Sequence, residues 1–172
     1  MIDVLEARLH EAMSNRAMVD AMLRGMAHFD RYRASLPLLP GGYTRTLLQK
    51  TGDFELVGMH WAPGSLSAIH DHGDSRCWVV VMEGMLDVDN YDRHDDGGLQ
   101  ADLTHGSSIE VVRGDLDHRL NRRELHKVRN TRDCSAYSLQ LYSPSLTEYT
   151  VVNEQTGICS KAAALYDAVF DL

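Results

Sequence analysis

The sequence predicts a mainly β fold: one domain over residues 1–172, with a barrel or sandwich over 41–165 and two helices within 1–35 packed outside it. Three observations support this. From Gly41 onward, short apolar runs alternate with turn residues, which is typical of many short strands. The first 35 residues instead repeat apolar side chains at helical spacing. A chain of 172 residues can bury one good core, and no repeat or low-complexity linker divides it.

The N-terminal part is expected to form two helices that lie against the domain. Apolar residues recur on one face of each helix, and Ser14 or Asn15 can cap the second. The two apolar stripes are Val4, Leu5, Leu9 and Met13, then Met18, Met22, Met26 and Phe29. Methionines at this spacing predict core packing and not a functional surface.

The β part is expected to follow in short strands separated by turns. The predicted strands are YTRTLLQ, FELVGMHW, CWVVVMEG, MLDVDNYD, SSIEVV, HKVRN, AYSLQLY and YTVV. Gly-Asp, Pro-Gly, Asp-Gly-Gly and Ser-Pro-Ser segments lie between them and favour turns. The tail KAAALYDAVFDL fits either a helix, because of its alanines, or a last strand.

The charge of the chain argues against a nucleic-acid partner. The formal net charge is −8, and no Lys/Arg cluster offsets it. A short basic stretch contains Arg119, Arg122 and Arg123, but acidic residues interrupt it. We therefore expect this stretch to be a solvated loop.

The remaining composition predicts a cytoplasmic protein. The first 16 residues lack the basic and apolar regions of a secretory signal, and no run of about 18 apolar residues predicts a membrane span. The three cysteines, Cys77, Cys134 and Cys159, are too few and too widely spaced for a disulfide framework.

One short segment, IHDHGDSRCWVVVMEG, suggests a metal site. On a strand, His70 and His72 would point to the same face and Asp71 away from it. Neutral imidazoles suit iron, zinc, copper and nickel, although two histidines on a surface strand give the same pattern. His60 and His118 are the rival ligands. Structural or solvated roles are expected for these two and for His10, His28, His94 and His105.

The spacing of this segment resembles the first motif of the cupin superfamily, small β-barrels that bind a metal in the barrel mouth. The matching positions are Gly64, His70, His72, Cys77 and Gly84. Cys77 stands where cupins usually have a glutamate. The segment from His126 to Asn130 resembles the second motif, but the preceding RREL lacks its proline and glycine. The resemblance implies a jelly-roll β-barrel with His70, His72 and His126 as ligands.

With a cysteine at the glutamate position, the chain over about 41–165 resembles the cysteine dioxygenases. The shared residues are Tyr43-Thr44-Arg45, Trp61, the HDH run, Asp74-Ser75, Cys77, His126 and Asn130, Ser138, Tyr142-Ser143-Pro144 and Gln155-Thr156-Gly157. This resemblance implies Fe(II) on the three histidines, a small thiol substrate and O2, with no organic cofactor and no external reductant. It also implies a cytoplasmic monomer.

The same resemblance implies roles for individual residues. Arg45, helped by Tyr43, would pair with the substrate carboxylate, which suits the fixed fork of a guanidinium. Tyr142 would lie near the iron, and Cys77 could join it in a thioether cross-link. The pocket wall would include Trp61, Tyr149 and Ala164.

Three of these positions depart from the family pattern. Gln140 replaces a histidine in the row Ser138–Gln140–Tyr142, where it can donate to the phenol and accept from Ser138 but cannot titrate near neutral pH. Tyr149 stands where the animal enzymes have a cysteine, and Ala164 where they have a methionine. The pocket is therefore expected to be reshaped, and any proton relay altered.

The resemblance implies the oxidation of L-cysteine to cysteine sulfinate, and the three departures leave other outcomes open. The substrate could be another carboxylate thiol such as 3-mercaptopropionate, or cysteine could give a different oxidised product. A cupin that binds a metal without turnover is the second class. An isomerase or a carbon-oxidising dioxygenase is the third, and Cys77 argues against it because those enzymes usually keep the glutamate.

Overall fold

The protein is built from two β-sheets with helices outside one of them, as seen in a computed structural model that describes residues 2–95, 97–120 and 124–170. The helices are α1 (Ile2–Ala12), α2 (Arg16–Ala27) and α3 (Phe29–Arg33). The strands are β1 (Tyr43–Lys50), β2 (Glu55–Trp61), β3 (Ile69–His70), β4 (Arg76–Glu83), β5 (Met85–Arg93), β6 (Leu103–Val112), β7 (Leu116–Arg119), β8 (Leu125–Arg129), β9 (Ala136–Ser143), β10 (Glu148–Val152), β11 (Cys159–Ala163) and β12 (Ala168–Val169). The predicted mainly β architecture with N-terminal helices is confirmed.

Within the described ranges, each sheet has six strands. The first has the order β12-β1-β2-β9-β4-β7, and the second has the order β11-β10-β3-β8-β5-β6. The pairs β1–β2 and β4–β9 are antiparallel. Among the described strands, only β12 pairs in parallel, with β1. None of the described helices is long and apolar enough to cross a membrane.

The first sheet is covered on both faces at β2, which explains why every residue of this strand is buried. Leu56 on one face packs with the helices, whereas Val57 on the other face belongs to the core between the sheets. Gly25 lets α2 approach closely, because an added Cβ would lie 2.9 Å from the side chain of Leu56. The face that points between the sheets carries the site residues described below.

The N-terminal prediction needs three corrections. A third helix, α3, follows the two predicted ones because Phe29 and Tyr32 give it a buried face. Val4 is 66% exposed, so the buried stripe consists of Leu5 and Leu9 in α1 and of Met13 directly after the helix. Asn15, not Ser14, caps α2 by accepting a hydrogen bond from the amide of residue 17 at 2.9 Å.

The ambiguous tail forms strands. β11 pairs with β10, and β12 adds to the edge of the first sheet beside β1. Alanine is a good helix former, but here hydrogen bonding to existing sheet edges decides the conformation. The strands therefore extend to Val169, beyond the predicted limit at residue 165.

Candidate active site

Three histidines meet between the two sheets. His70 in β3 is the direct cross-strand partner of His126 in β8, and their Nε2 atoms lie 3.2 Å apart. The ring of His72 lies 5.3 Å from that of His70 and 4.9 Å from that of His126, measured between centroids. Within the described residues, this is the only group of three or more potential ligands whose nitrogen, sulfur or oxygen atoms come this close, within 4.8 Å of one another. The rivals His60 and His118 are not part of it.

A turn, and not a strand, positions His72. The expectation that both histidines extend from one strand is wrong for the second, because β3 ends at His70. Asp71 accepts hydrogen bonds from the amides of Gly73 at 3.0 Å and Thr150 at 2.7 Å, which ties the turn to β10. Gly73 has φ +56°, and an added Cβ would lie 2.6 Å from a backbone oxygen of the neighbouring strand. Only glycine fits here, so this turn fixes the direction of His72.

The hydrogen bonds around the histidines define where their protons lie. Nδ1 of His70 donates to the carbonyl oxygen of Ala68 at 2.9 Å, so its Nε2 carries a lone pair. Nε of Arg119 donates to Nδ1 of His126 at 3.1 Å, so the neutral ring of His126 keeps its proton on Nε2 and points it at His70. A metal ion binds the ring nitrogen that carries no proton, so binding at Nε2 of His126 would require this proton to move to Nδ1.

Arg119 corrects the prediction of a solvated basic loop. It ends β7, and its side chain is 10% exposed. Nη1 donates to Asp117 at 2.8 Å and Nη2 donates to Asn90 at 2.9 Å, so the guanidinium is held on several sides. Arg122 and Arg123 lie outside the described residues. Arg119 therefore supports the ring of His126, and the sequence did not assign it to the site.

Strand register aligns the other site residues in one row across the first sheet. Arg119 pairs with Cys77, Cys77 pairs with Tyr142, and Tyr142 pairs with Glu55. Directly paired residues point to the same face of a sheet, so the Cys77 thiol and the Tyr142 ring are neighbours. Burial raises the pKa of the Cys77 thiol to about 12 and also raises the pKa of the Tyr142 phenol. Both groups are therefore protonated at neutral pH.

Arg45 brings a largely buried cation to the same cavity. Its Nε donates to the carbonyl oxygen of Leu165 at 3.1 Å, and its Nη1 lies 3.5 Å from the phenol oxygen of Tyr142. Its side chain is 13% exposed. The rings of Tyr43 and Trp61 stack 4.8 Å apart beside it, and all four predicted residues, Arg45, Tyr43, Trp61 and Tyr142, line the cavity with the histidines.

Gln140 also lines the cavity, but its hydrogen bond runs opposite to the expected direction. The Tyr142 hydroxyl donates to Oε1 of Gln140. Oγ of Ser138 accepts from Nε1 of Trp61 at 3.1 Å instead of donating to Gln140. The phenol proton is thus held by an amide that does not ionise near neutral pH.

The two remaining wall positions differ from each other. Tyr149 in β10 lines the cavity, with its ring 5.7 Å from that of His70. Ala164 packs against the same apolar core without lining the cavity. Tyr149 therefore changes the cavity wall directly, whereas Ala164 lies behind the wall.

The electrostatics of the site favour neutral imidazoles. Burial is the main cause that lowers the pKa values of His70, His72 and His126. Neighbouring histidines lower the pKa values of His72 and His126 further, Arg119 lowers all three, and Arg45 lowers those of His70 and His72. Neutral histidine is the form that binds a metal ion. Two Nε2 atoms 3.2 Å apart also fit two ligands of one ion with metal–nitrogen distances of about 2.0–2.1 Å. The three histidines therefore fit a divalent transition metal.

Comparison with known proteins places these features in a family. A family model described as cysteine dioxygenase type I matches residues 5–155. Cysteine dioxygenase type 1 of Danio rerio is 31% identical over 133 residues, which cover 76% of this chain and 61% of that protein. The Homo sapiens protein of the same name is 30% identical over 149 residues, which cover 85% of this chain and 68% of that protein. The chain thus spans roughly two thirds of the length of these relatives.

Solved structures agree on the fold. A Klebsiella pneumoniae protein with a double-stranded β-helix domain matches with a TM-score of 0.50 at 18% identity, covering 78% of this chain and 87% of that one. The cupin domain of Schizosaccharomyces pombe Cnp3 matches with a TM-score of 0.50 at 9% identity, covering 64% and 70% respectively. The predicted cupin-type β fold is confirmed.

Proposed function

The chain belongs to the cysteine dioxygenase type I family, and on that premise we propose that it is an Fe(II)-dependent thiol dioxygenase that converts L-cysteine to cysteine sulfinate. The observation that carries this proposal is the joint lining of one cavity by a three-histidine cluster and a largely buried arginine, Arg45. A protein that only stores a metal has no need of a carboxylate-binding cation beside it. In the proposed reaction, the thiol sulfur gains both atoms of O2 and the thiol proton is released, so no external reductant is consumed.

His70, His72 and His126 would hold the iron. When bound, Fe(II) would favour the thiolate form of the substrate and mediate electron transfer from its sulfur to O2. Three neutral ligands leave the full dipositive charge in place, which favours an anionic sulfur from the substrate. The Cys77 thiol stays protonated, because burial raises its pKa to about 12, and so it does not compete as a ligand.

Arg45 would orient the substrate by its carboxylate. Its Nη2 is buried and has no hydrogen-bond partner among the described residues, so a ligand carboxylate can satisfy it. Tyr43 and Trp61 would exclude water beside this contact, and Tyr149 would close the wall next to His70. A charge-assisted contact in a dry cavity fixes the distance between carboxylate and sulfur, and thereby selects small thiols.

Tyr142 would hold a proton next to the reacting sulfur. Burial raises the pKa of its phenol, and Gln140 accepts its hydrogen bond, so the hydroxyl remains a donor in the cavity. Because Cys77 and Tyr142 are cross-strand partners, we also propose that the thioether cross-link between them forms in the active protein. The expectation of a cytoplasmic monomer continues to depend on the sequence alone.

Oxygen uptake with a panel of thiols tests the proposal. The protein is loaded anaerobically with Fe(II), and O2 consumption is followed with L-cysteine, 3-mercaptopropionate and 2-mercaptoethanol, which lacks a carboxylate. We expect L-cysteine to be oxidised fastest and Arg45→Met to raise its KM by about a hundredfold while changing 2-mercaptoethanol little. Oxidation of 3-mercaptopropionate alone would show that this thiol, and not L-cysteine, is the substrate. If no thiol led to O2 consumption, the proposed dioxygenase activity would be wrong, and a cupin that binds a metal without turnover would remain.

A further inference from the structure

Glu55 is a fully buried carboxylate that has no role in the proposed reaction. It begins β2, and its side chain is 0% exposed. One oxygen, Oε2, accepts a hydrogen bond from Nζ of Lys50 at 3.2 Å and another from the hydroxyl of Tyr166. Burying a carboxylate is costly, so such a residue needs a specific reason to persist.

The other oxygen of Glu55 faces Arg45 without reaching it. Nη2 of Arg45 lies 3.9 Å from Oε1 of Glu55, beyond hydrogen-bond distance. Both atoms are buried, and neither has a hydrogen-bond partner among the described residues. Lys50 and Tyr166 bind Oε2 and so keep Oε1 from closing this gap. The guanidinium of Arg45 thus keeps an N–H group free for a ligand while the carboxylate of Glu55 remains close to it.

We propose that Glu55 is a positioning residue that limits how tightly Arg45 binds the carboxylate of the substrate; this inference rests on the proposed role of Arg45. A second carboxylate brought to the guanidinium is attracted by Arg45 and repelled by Glu55 at similar distances. In a buried site this repulsion is weakly screened. The Lys50 ammonium partly offsets Glu55, because its side chain is 43% exposed and lies on the far side of the carboxylate.

In this arrangement, Glu55 influences the affinity for thiols with a carboxylate without contacting the substrate. Glu55 does not line the cavity. Its charge therefore acts most strongly on ligands that carry a charge beside Arg45. The carboxylate of a thiol substrate lies there, whereas a thiol that binds through sulfur alone has no charge at Arg45.

Anaerobic calorimetry on the Fe(II)-loaded protein separates this role from catalysis. The dissociation constants of 3-mercaptopropionate and 2-mercaptoethanol are measured for the wild type and for Glu55→Gln, whose amide keeps an oxygen for Tyr166. We expect Glu55→Gln to bind 3-mercaptopropionate about tenfold more tightly and to bind 2-mercaptoethanol with unchanged affinity. Lys50→Met, at a half-exposed site, is expected to weaken the binding of 3-mercaptopropionate, because it removes the cation that partly offsets Glu55.

The contrary results are equally definite. Weaker or unchanged binding of 3-mercaptopropionate by Glu55→Gln overturns the proposal, and so does an equal shift for both thiols. If Glu55→Gln does not fold, an unchanged constant in Lys50→Met overturns it instead. Because no oxygen is present, a protein that never oxidises a thiol can still show these shifts, and failure of the proposed function remains distinguishable.

Discussion

Replacement of Arg119 by methionine is expected to destabilise the protein by about 3–5 kcal/mol. The guanidinium donates hydrogen bonds to Asp117, Asn90, the backbone oxygen of His118 and Nδ1 of His126, at 2.8, 2.9, 2.8 and 3.1 Å. The Asp117 side chain is 15% exposed, so the variant leaves a largely buried carboxylate without its cation. Removing one partner of a buried ion pair costs this amount because the other charge stays uncompensated.

Urea unfolding of the metal-free protein measures this loss, and Arg33→Met is a matched control. Arg33 forms an ion pair with Glu83 at 2.9 Å, but these side chains are 41% and 45% exposed, so its loss should cost about 0–1 kcal/mol. Adding Asp117→Asn to Arg119→Met should recover part of the stability, since no charge is then left unpaired. A cost for Arg119→Met no larger than for Arg33→Met would refute the inference that Arg119 is a buried support of the metal site.

Three further predictions concern the same cavity. Gln140→Leu should lower the free energy of unfolding by about 1–3 kcal/mol, because it leaves the buried Tyr142 hydroxyl without its acceptor. In urea titrations, the double variant with Tyr142→Phe should lose less stability than the two single variants added together. Strictly additive losses would contradict this. Aerobic turnover should lower the intact mass by two hydrogens as the cross-link forms; Cys77→Ser should abolish the change and Cys134→Ser should not. The stability of the metal-free protein should fall as pH drops from about 7 to about 5, by at most about 1.4 kcal/mol per unit for each of the three site histidines. Burial lowers their folded-state pKa values, so below about 6.5 the unfolded chain binds protons that the folded chain does not; a flat pH profile in urea titrations would contradict this.

Local patterns in the sequence were sufficient for the fold class and for most of the cavity. Alternating apolar runs predict strands, and the resemblance of the HxH segment and its spacing to the first cupin motif implies histidines at the mouth of a barrel. The residues implied by resemblance, Arg45 and Tyr142 among them, do line one cavity with those histidines. The Gly-Asp pair at 73–74 predicts a turn, but the end of β3 at His70, ahead of His72, was not predicted, because period-two alternation does not reveal where a strand ends.

Arg119 and Glu55 were missed because their significance depends on distant strands. Arg119 lies in a stretch rich in charges, and only the register of β7 beside β4 places it under His126. Glu55 did leave a signal, namely one acid within an otherwise apolar run, FELVGMHW. Its meaning required Tyr166, which lies 111 residues further along the chain, together with the neighbouring strand residues Lys50 and Arg45.

The product formed from L-cysteine under labelled dioxygen tests the proposed function most directly. The Fe(II)-loaded protein is mixed with L-cysteine and ¹⁸O2, and the products are analysed by mass spectrometry. We predict cysteine sulfinate that carries two labelled oxygen atoms from one O2 molecule. Cystine with no label, a product with one labelled atom, or no consumption of O2 would contradict a thiol dioxygenase acting on cysteine.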